Sequence, residues 1–582
     1  MITGRCERHA QIHTNKHFFT LPRKLKKFKI MSTKLINFIS FSFYFLTLFC
    51  FISVVESRKL GFNSSLFQEV NGNNDGDDSI VYIWPLPSKY TYGNNTISVN
   101  PDLSLDISGN GGNSIIVSEG FQRYREIIFK HHTRKKSGVL YDVNKLKIIV
   151  NSDNETLNLN VDESYSLFIT TENGSSIIQG ASIEANTVFG ALRGLETFSQ
   201  LCSFNYGTKS VQVYKAPWYI QDEPKFVFRG LLLDTSRHFL PINVIKQVIE
   251  SMSYAKLNVL HWHIIDEQSF PLEVPSHPYL WKGSYTKFER YAVEDAYDIV
   301  DFAKMRGINV MAEIDVPGHA ESWGRGYPEL WPSETCREPL DVTKNFTFDV
   351  VSGILADMRK MFPFELFHLG GDEVNTDCWS STPHVKQWLQ EHNMTTKDAY
   401  QYFVLRAQEI AISKNWTPVN WEETYNSFKG NLNPRTVVHN WLGPGVCPKA
   451  AADGFRCIYS NQGVWYLDHL DVPWEDVYKS EPLEGISDGS HKKLVLGGEV
   501  CMWGETADSS DVQQTIWPRA AAAAERMWSS RDMTSARNMS STVLPRLEYF
   551  RCLLNRRGVP AAPVNNYYAR RPPVGPGSCY LQ

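Results

Sequence analysis

Residues 364–374, FELFHLGGDEV, decide the fold of this chain. The stretch begins as an apolar, strand-like run, breaks at Gly370 and Gly371, and continues with two adjacent carboxylates, Asp372 and Glu373. In barrel enzymes the catalytic groups lie where a strand opens into such a loop, and paired acids can hold pKa values that are pushed apart. Gly-Gly-Asp-Glu is also common turn chemistry, so the motif alone leaves a catalytic pair and a plain surface turn both open.

Short apolar runs recur from about residue 226 onward, at intervals suited to strand, loop, helix and loop. Amphipathic helices are predicted between them, for example over 241–255 and 293–306. Eight such units in about 300 residues favour a (β/α)8 TIM barrel of the α/β class over an open sheet. The eight runs are FRGLLLD, NVLHWHIID, GINVMAEID, FELFHLGG, WTPVNWEE, RTVVHNW, RCIYSN and KLVLGGEVCMW.

A smaller α+β domain is predicted ahead of the barrel. GVLYDVNKLKIIV and SYSLFIT have the composition of strands, and residues 186–201 have helical periodicity behind Asn186 as the N-cap. We therefore divide the chain into a signal segment over 1–57, a linker over 58–82, the α+β domain over 83–214 and the barrel over 226–582.

The amino-acid composition limits the classes of function that the chain can have. With 582 residues and 42% apolar content the chain can bury a large core. The net charge of -4 and the pI near 6.5 give no electrostatic argument for nucleic-acid binding, and no basic stripe with interleaved aromatic residues appears outside the extreme N-terminus. We therefore exclude nucleic acid as a partner. The 16 tryptophans are numerous, and indole faces pack well against the apolar faces of sugar rings.

The N-terminus predicts entry into the secretory pathway. Basic residues precede an apolar run over 35–55, as in a signal peptide, and Met31 is an alternative start. The run is also long enough to cross a bilayer, so an uncleaved anchor, and with it a membrane association, stays open. Eight Asn-x-Ser/Thr sequons are glycosylation acceptors only in that pathway: Asn63, Asn94, Asn154, Asn173, Asn345, Asn393, Asn415 and Asn538.

The ten cysteines are spread too widely for a zinc cluster, so we predict disulfides and neither a metal nor another cofactor. The carboxyl ends of the predicted barrel strands instead collect acids, bases and indoles. In chain order these are Asp234 with Arg237, Asp266, Asp315 with His319, Asp372 with Glu373, Trp421 with Glu422, Trp441, Trp465 with Tyr466 and Asp468, and Trp503 with Glu505.

Several of these residues have a purely structural alternative. Asp234 and Asp315 could cap helices or close core networks, and Arg237 could be an internal salt-bridge partner. Glu422 and Glu423 are expected to support the site or to lie at the surface.

Six motifs, in this order, resemble the β-N-acetylhexosaminidases of glycoside hydrolase family 20: FRGLLLDTSRHFLP, NVLHWHIIDEQSFP, DVPGHAESW, HLGGDEV, WYLD and CMWGE. The resemblance runs from about residue 83 to the C-terminus and is especially similar to the plant vacuolar type. It implies exo-acting, retaining hydrolysis of terminal non-reducing β-linked N-acetylglucosamine or N-acetylgalactosamine from N-glycans or chito-oligosaccharides. The implied compartment is the vacuole, with the cell wall or extracellular space as the alternative, and a homodimer stays open.

The residues favour the same chemistry. Ordinary retaining glycosidases need two carboxylates on opposite sides of the sugar, about 5 to 5.5 Å apart, and the sequence neighbours Asp372 and Glu373 cannot readily straddle a ring. The seventh strand, where many barrel glycosidases carry a nucleophile, closes with Ser460, Asn461 and Gln462. An N-acetylated sugar supplies its own nucleophile, because its acetamido oxygen can attack the anomeric carbon and form an oxazolinium.

The resemblance also implies roles at the reacting bond. Glu373 would protonate the leaving oxygen and then activate water, while Asp372 would orient the acetamido N–H. Asp266 and His319 match a pair that supports Glu373, and Tyr466 would donate a hydrogen bond to the acetamido oxygen.

Other residues would bind the sugar. Arg237 and Glu505 would hold ring hydroxyls, and Trp421, Trp441 and Trp503 would wall the pocket. An acid at the position of Asp468 goes with neutral substrates, since it would repel a 6-sulfate. Glu267, directly after Asp266, departs from the mammalian relatives, which carry a second Asp at that place.

Disulfide partners follow from the resemblance as well. Cys336 would pair with Cys378 and Cys552 with Cys579, and Cys447 and Cys457 could close a third, short loop. Sequence alone does not determine connectivity.

Two other functions are alternatives to a glycosidase. A metal-dependent hydrolase could use His261 and His263, two apart on one strand, with His319 and His368; amidohydrolase barrels, however, carry that pair on the first strand, not the second. A sugar-binding protein without activity would usually have lost the acid, whereas Glu373 is present.

Overall fold

The computed structural model describes residues 80–131, 140–170, 180–534 and 539–565. The predicted signal or anchor over 1–57, most of the predicted linker, and Asn63, Asn173, Asn538 and Cys579 lie outside these residues. Within the described ranges no helix is long and apolar enough to cross a membrane.

The first part of the described chain is a six-stranded mixed sheet in the order β1-β2-β4-β3-β6-β5, with β1 also paired to β6. Alternate residues of β3 and β4 are buried, as expected for strands with one face against helices. The strands are β1 (Lys89–Ser108), β2 (Val143–Val150), β3 (Tyr165–Ile169), β4 (Ala181–Ala185), β5 (Cys202–Asn205) and β6 (Ser210–Asp222), and the helices are α1 (Ile115–Ile128) and α2 (Val188–Leu201).

Two local details differ from the sequence predictions. The N-cap of α2 is Thr187, whose hydroxyl accepts a hydrogen bond from the backbone of Gly190 at 3.1 Å, so the prediction of Asn186 was wrong by one residue. Asn186 and Thr187 are both good caps, and the strand before them sets which one meets the first free N–H. Strand β6 also runs past the predicted boundary at 214 and ends at Asp222.

The second part is a closed barrel of eight parallel strands in the order β7 to β14, as predicted. Almost every strand residue is buried, because helices cover the outside and side chains fill the inside. The strands are β7 (Phe228–Asp234), β8 (Val259–Ile265), β9 (Asn309–Ile314), β10 (Leu366–His368), β11 (Thr417–Trp421), β12 (Val437–Asn440), β13 (Arg456–Tyr459) and β14 (Val495–Met502).

The helices of this part lie between and after the strands, and the two predicted over 241–255 and 293–306 are confirmed as α3 and α4. They are α3 (Ile242–Tyr254), α4 (Val293–Lys304), α5 (Asn345–Met361), α6 (Asp377–Ser381), α7 (Pro383–Glu391), α8 (Thr396–Ser413), α9 (Glu422–Phe428), α10 (Val446–Ala452), α11 (Gln462–Trp465), α12 (Trp474–Lys479), α13 (Gly489–Lys492), α14 (Val512–Ile516), α15 (Arg519–Trp528), α16 (Arg531–Thr534), α17 (Met539–Thr542) and α18 (Leu544–Arg556).

A buried carboxylate joins the smaller domain to the barrel. Glu163, just before β3, accepts hydrogen bonds from Arg193 of α2 at 2.7 Å, from Arg229 of β7 at 2.7 and 2.8 Å, and from Asn258 at 2.9 Å. All three charged side chains are at most 3% exposed. The Glu163 carboxylate thus neutralises one cation of the smaller domain, Arg193, and one cation of the barrel, Arg229.

Glu163→Ala is expected to lower the free energy of unfolding by about 3–5 kcal/mol, because two buried guanidinium groups lose their counter-charge. Urea denaturation followed by tryptophan fluorescence measures this change. Glu184→Ala, at an exposed position of β4, is the matched control. Equal denaturation midpoints for the two variants would show that Glu163 does not hold the domains together.

Candidate active site

The turn after β10 requires its two glycines. Gly370 and Gly371 have φ of +60° and +96°, and a Cβ on Gly370 would lie 2.0 Å from the carboxyl carbon of Asp315. Glu373, with φ of +49°, is also left-handed. Such a backbone conformation in a non-glycine residue is costly and concentrates at functional sites. The turn therefore brings Asp372 against Asp315 and leaves the Glu373 side chain 61% exposed at the barrel mouth.

Asp315 positions Asp372. One oxygen of Asp315 accepts a hydrogen bond from the backbone N–H of Gly371 at 2.8 Å. Burial and the neighbouring Asp372 carboxylate raise the pKa of Asp315 well above its usual range. Burial raises the pKa of Asp372 as well, so the two neighbouring carboxyl groups belong to one buried network. Of the two alternatives that the sequence left open, the structure places Asp315 in an internal network.

His319 lies between three carboxylates. Its Nδ1 is 3.1 Å from Asp266, and its Nε2 is 3.7 Å from Asp372 and 3.6 Å from Glu373. Burial alone would lower the pKa of His319, but Asp315, Asp266 and the other two carboxylates raise it far above its usual value. His319, itself left-handed at φ +51°, is thus a cation in contact with Glu373.

This cation sets the charge of Glu373. The neighbouring His319, whose Nε2 lies 3.6 Å from the carboxylate, is the main reason that the pKa of Glu373 lies below its usual value, and the Arg237 charge acts in the same direction. Asp266 holds the other ring nitrogen of His319, and its own pKa is lowered despite burial because His263 and His319 donate to it. The predicted association of Asp266 and His319 with Glu373 is present in the geometry.

Arg237 is held by internal ion pairs and still reaches the site. Its guanidinium lies 3.1 Å from Asp234, 2.9 Å from Asp266 and 3.7 Å from Glu505, over the ring of Trp503. Asp234 itself accepts from the backbone of Gly504 at 2.9 Å, so it closes a network. Arg237 is therefore an internal salt-bridge partner, and its role toward ring hydroxyls stays a prediction.

Aromatic rings form a cup over the ends of β11, β12 and β14. Trp441 and Tyr466 stack in parallel with centroids 6.1 Å apart, and Trp421 and Trp503 lie 6.0 Å apart. Leu232 and Cys501 pack beneath this cup. The apolar faces of these four rings suit a methyl group attached to a polar amide.

Two acids hold Trp441 in place. Glu422 accepts hydrogen bonds from the backbone of Trp441 at 2.8 Å and of Leu442 at 3.3 Å. Glu423 accepts from the indole N–H of Trp441 at 3.0 and 3.1 Å. Burial and Asp372 raise the pKa of Glu423 to about 8. Both acids support the cup, as predicted for residues behind the site.

Two carboxylate oxygens at the site have no partner. Oδ1 of Asp372 and Oδ1 of Asp468 are buried and accept no hydrogen bond from any residue that the structure describes. Buried acceptors are normally satisfied, so both are available to hydroxyl or amide donors of a ligand. Burial raises the pKa of Asp468 to about 6.

Among the residues that the structure describes, histidines and carboxylates cluster in three groups whose donor atoms lie within 4.8 Å of one another: His261 with His439 and Glu499, His261 with Glu313 and His368, and Asp315 with His319 and Asp372. In each group an imidazole pairs with a carboxylate, so counter-charges already explain the arrangement. His261 and His263 hydrogen-bond inside the barrel core, to Glu499 and to Asp266 respectively.

Disulfides and sequons fit an oxidising compartment. Cys336–Cys378 and Cys447–Cys457 are both formed, as predicted. Cys552 is disulfide-bonded, while the predicted partner Cys579 lies outside the described residues. The asparagines of the five sequons within the described ranges are all exposed: Asn94, Asn154, Asn345, Asn393 and Asn415.

The sequence missed one group at this site. Glu313 lies on β9 two residues before Asp315, so both side chains point into the barrel, and its carboxylate contacts three histidines. The two-residue spacing was visible in the sequence, but the three histidines come from two other strands, β8 and β10.

Paired acids at the open end of a (β/α)8 barrel, beside an aromatic cup and a fixed guanidinium, define a glycoside hydrolase. Two family models match the chain: residues 226–531 match the catalytic domain of glycosyl hydrolase family 20, and residues 83–201 match "beta-acetyl hexosaminidase like". The chain belongs to glycosyl hydrolase family 20 and is an enzyme of the β-N-acetylhexosaminidase type.

Similar proteins share most of the length. The chain is 71% identical to beta-hexosaminidase 1 of Arabidopsis thaliana over 514 residues, covering 87% of this chain and 95% of that protein. It is 34% identical to beta-hexosaminidase subunit beta of Homo sapiens, covering 83% and 88%. Its fold matches a solved Flavobacterium johnsoniae chitobiase with a TM-score of 0.72 at 28% identity, covering 84% of this chain and 74% of that one.

Proposed function

We propose that this enzyme removes terminal non-reducing β-linked N-acetylglucosamine or N-acetylgalactosamine with retention, and that the sugar's own 2-acetamido group is the nucleophile. The observation that carries the proposal is the placement of the acids. Asp372 and Glu373 come from one turn, and β13 ends at Tyr459 and is followed by Ser460, which is fully buried and hydrogen-bonded to Asn440. No carboxylate of β13 stands opposite Glu373 to act as the second acid of an ordinary retaining enzyme.

The cup and Asp372 suit the acetamido group. Its methyl would pack among the rings of Trp421, Trp441 and Trp503, and its oxygen would accept from the Tyr466 hydroxyl. Asp372 Oδ1, which has no partner among the described residues, would accept the amide N–H. As the amide oxygen attacks the anomeric carbon, positive charge develops on that N–H, and the Asp372 carboxylate stabilises it.

Glu373 would be the general acid. Before substrate binds, the His319 cation lowers the pKa of Glu373, which favours the carboxylate. A sugar bound over Glu373 would displace water from it, and desolvation raises a carboxyl pKa. We therefore infer that substrate binding loads the proton, which Glu373 gives to the leaving oxygen and later recovers from water.

A panel of aryl β-glycosides tests this function. Turnover of the acetamido sugars, unchanged by chelator, with plain glucosides and galactosides at least about a hundredfold slower, is the expected result. Comparable turnover of the plain sugars would reject it, and loss of activity with chelator would favour the metal-dependent alternative. Binding without turnover would support the sugar-binding alternative.

Asp468 is expected to select against 6-sulfated sugars in a pH-dependent way. Its pKa near 6 means that it is ionised at pH 7 and about nine-tenths protonated at pH 5. The preference for a neutral over a 6-sulfated aryl substrate should therefore fall as the pH drops from 7 to 5. In Asp468→Asn the preference should be low at both values, while the exposed control Asp471→Asn should match the wild type. An unchanged preference across this pH range would contradict the role.

The compartment we propose is the secretory pathway and, within it, the vacuole. The two disulfides and the five exposed sequon asparagines support passage through the pathway. Localisation of the tagged full chain, compared between vacuole, cell wall and plasma membrane, tests the final step. Light scattering of the purified enzyme tests whether it is the homodimer that the sequence left open.

A further inference from the structure

The barrel interior contains a layer of buried titratable side chains below the site. Barrel cores are usually filled by branched apolar side chains, but six ionisable side chains here are at most 1% exposed: His261, His263, Glu313, His368, His439 and Glu499. Burying charges is unfavourable unless each is paired. An arrangement this costly calls for a role beyond filling space.

Glu313 is the centre of this layer. Its carboxylate lies 3.1 Å from Nε2 of His261 and 2.7 Å from Nδ1 of His368, and it also pairs with Nδ1 of His263. It accepts a hydrogen bond from the indole N–H of Trp421 at 3.1 Å. Trp421 belongs to the cup, so one buried carboxylate reaches a wall of the proposed acetamido pocket.

The same carboxylate reaches the other half of the site. His263, which pairs with Glu313 through Nδ1, contacts Asp266 through Nε2 at 2.8 Å. Asp266 contacts His319 at 3.1 Å, and His319 lies 3.6 Å from Glu373. A continuous series of imidazole–carboxylate contacts therefore joins Glu313 to the proposed general acid.

The charges along this series alternate. Burial would raise the pKa of Glu313, but His368, His263 and His261 lower it well below its usual value. Although burial opposes it, Glu313 and Asp266 raise the pKa of His263 to about 10. The other titratable groups that act on Glu313 or its partners are Glu499 on β14, His439 on β12, and Asp315 and Asp372 at the barrel mouth.

We propose that Glu313 is a positioning residue that couples the two halves of the site: it fixes Trp421 on one side and, through its contact with His263, holds that imidazole against Asp266 on the other. The inference rests on the proposed function of Glu373 and the cup. The consequence is that the protonation of His263, and through Asp266 the placement of His319, depends on Glu313, a carboxylate that never touches substrate.

Glu313→Gln tests this role, with Glu499→Gln as the matched control. Glu499 is equally buried and pairs with His261 at 2.8 Å, but no contact joins it to His263, Asp266 or Trp421 among the described residues. For Glu313→Gln we expect kcat to fall at least about tenfold and the alkaline limb of the pH–rate profile to move to lower pH, because His263 loses the carboxylate that raises its pKa. For Glu499→Gln the alkaline limb should stay at the wild-type position.

The conservative variant Glu313→Asp keeps the charge and should restore the wild-type alkaline limb even where kcat stays reduced. If Glu313→Gln and Glu499→Gln lose thermal stability equally and both keep the wild-type profile, Glu313 is only structural and the proposal is overturned. All profiles use the aryl glycoside that the wild type cleaves fastest, so an error about the substrate does not count for or against Glu313.

A measurement on the wild type covers the case in which Glu313→Gln does not fold. Imidazolium protons shared with buried carboxylates give low-field ¹H NMR signals, and saturation with a thiazoline mimic of the cyclic intermediate should shift at least one of them. Unshifted signals at saturation would show that the layer is not coupled to the site, whereas failure of the mimic to bind would count against the proposed nucleophile instead.

Discussion

Glu373→Gln is expected to lower kcat on an N-acetyl-β-glucosaminide with a poor leaving group by about 10²–10⁴-fold, the usual contribution of a general acid and base. Glutamine keeps the size of the side chain and its contact with His319 but carries no transferable acidic proton. The effect should be smaller with a 4-nitrophenyl leaving group, since a stable phenolate needs less protonation as it departs.

Steady-state kinetics over a series of leaving groups measures both effects. Glu391→Gln, at an exposed position of α7, controls for the loss of a surface charge. A Glu373→Gln enzyme whose loss did not depend on the leaving group would show that Glu373 is not the proton donor.

Asp372→Asn should cost about 10²–10³-fold in kcat, the range seen when one stabilising group is removed from a developing charge. The buried Asp372 side chain lies beside Asp315 and 3.7 Å from Nε2 of His319, so a carboxylate at this place can stabilise the acetamido N–H as that group becomes positive. Asparagine fits the space but removes the negative charge.

The effect of Asp372→Asn should appear in kcat rather than in KM, because the charge develops in the transition state. Asp377→Asn, exposed in the first turn of α6, is the control with the same chemical change nearby. A loss below about tenfold in Asp372→Asn would remove Asp372 from the mechanism.

Much of the fold could be predicted because buried parallel strands leave a strong pattern. The eight apolar runs each became a barrel strand, and FELFHLGG ended at glycines that the close approach of Asp315 makes necessary. The cap of α2 was misassigned because Asn186 and Thr187 are chemically equivalent candidates. Their positions relative to β4 decide between them, and that information is tertiary.

The site residues at the ends of the barrel strands could be predicted from the sequence, but the contacts among side chains inside the barrel could not. Strand ends identified Asp372, Glu373 and His319, since the carboxyl ends of parallel strands meet at one face. Which inward side chains meet across the barrel depends on the register of strands far apart in sequence. The contacts of Glu313 with His261, His263 and His368 could therefore not be predicted from the sequence.

The claim that the substrate's amide is the nucleophile is tested most directly by a series of aryl glucosaminides whose N-acetyl group carries zero, one, two or three fluorines. Fluorine withdraws electrons from the carbonyl oxygen and changes its size little. The account predicts that kcat/KM of the wild-type enzyme falls steeply and linearly, on a logarithmic scale, with each added fluorine. Rates that stay level across the series would mean that an enzyme group attacks the anomeric carbon, and would contradict the account.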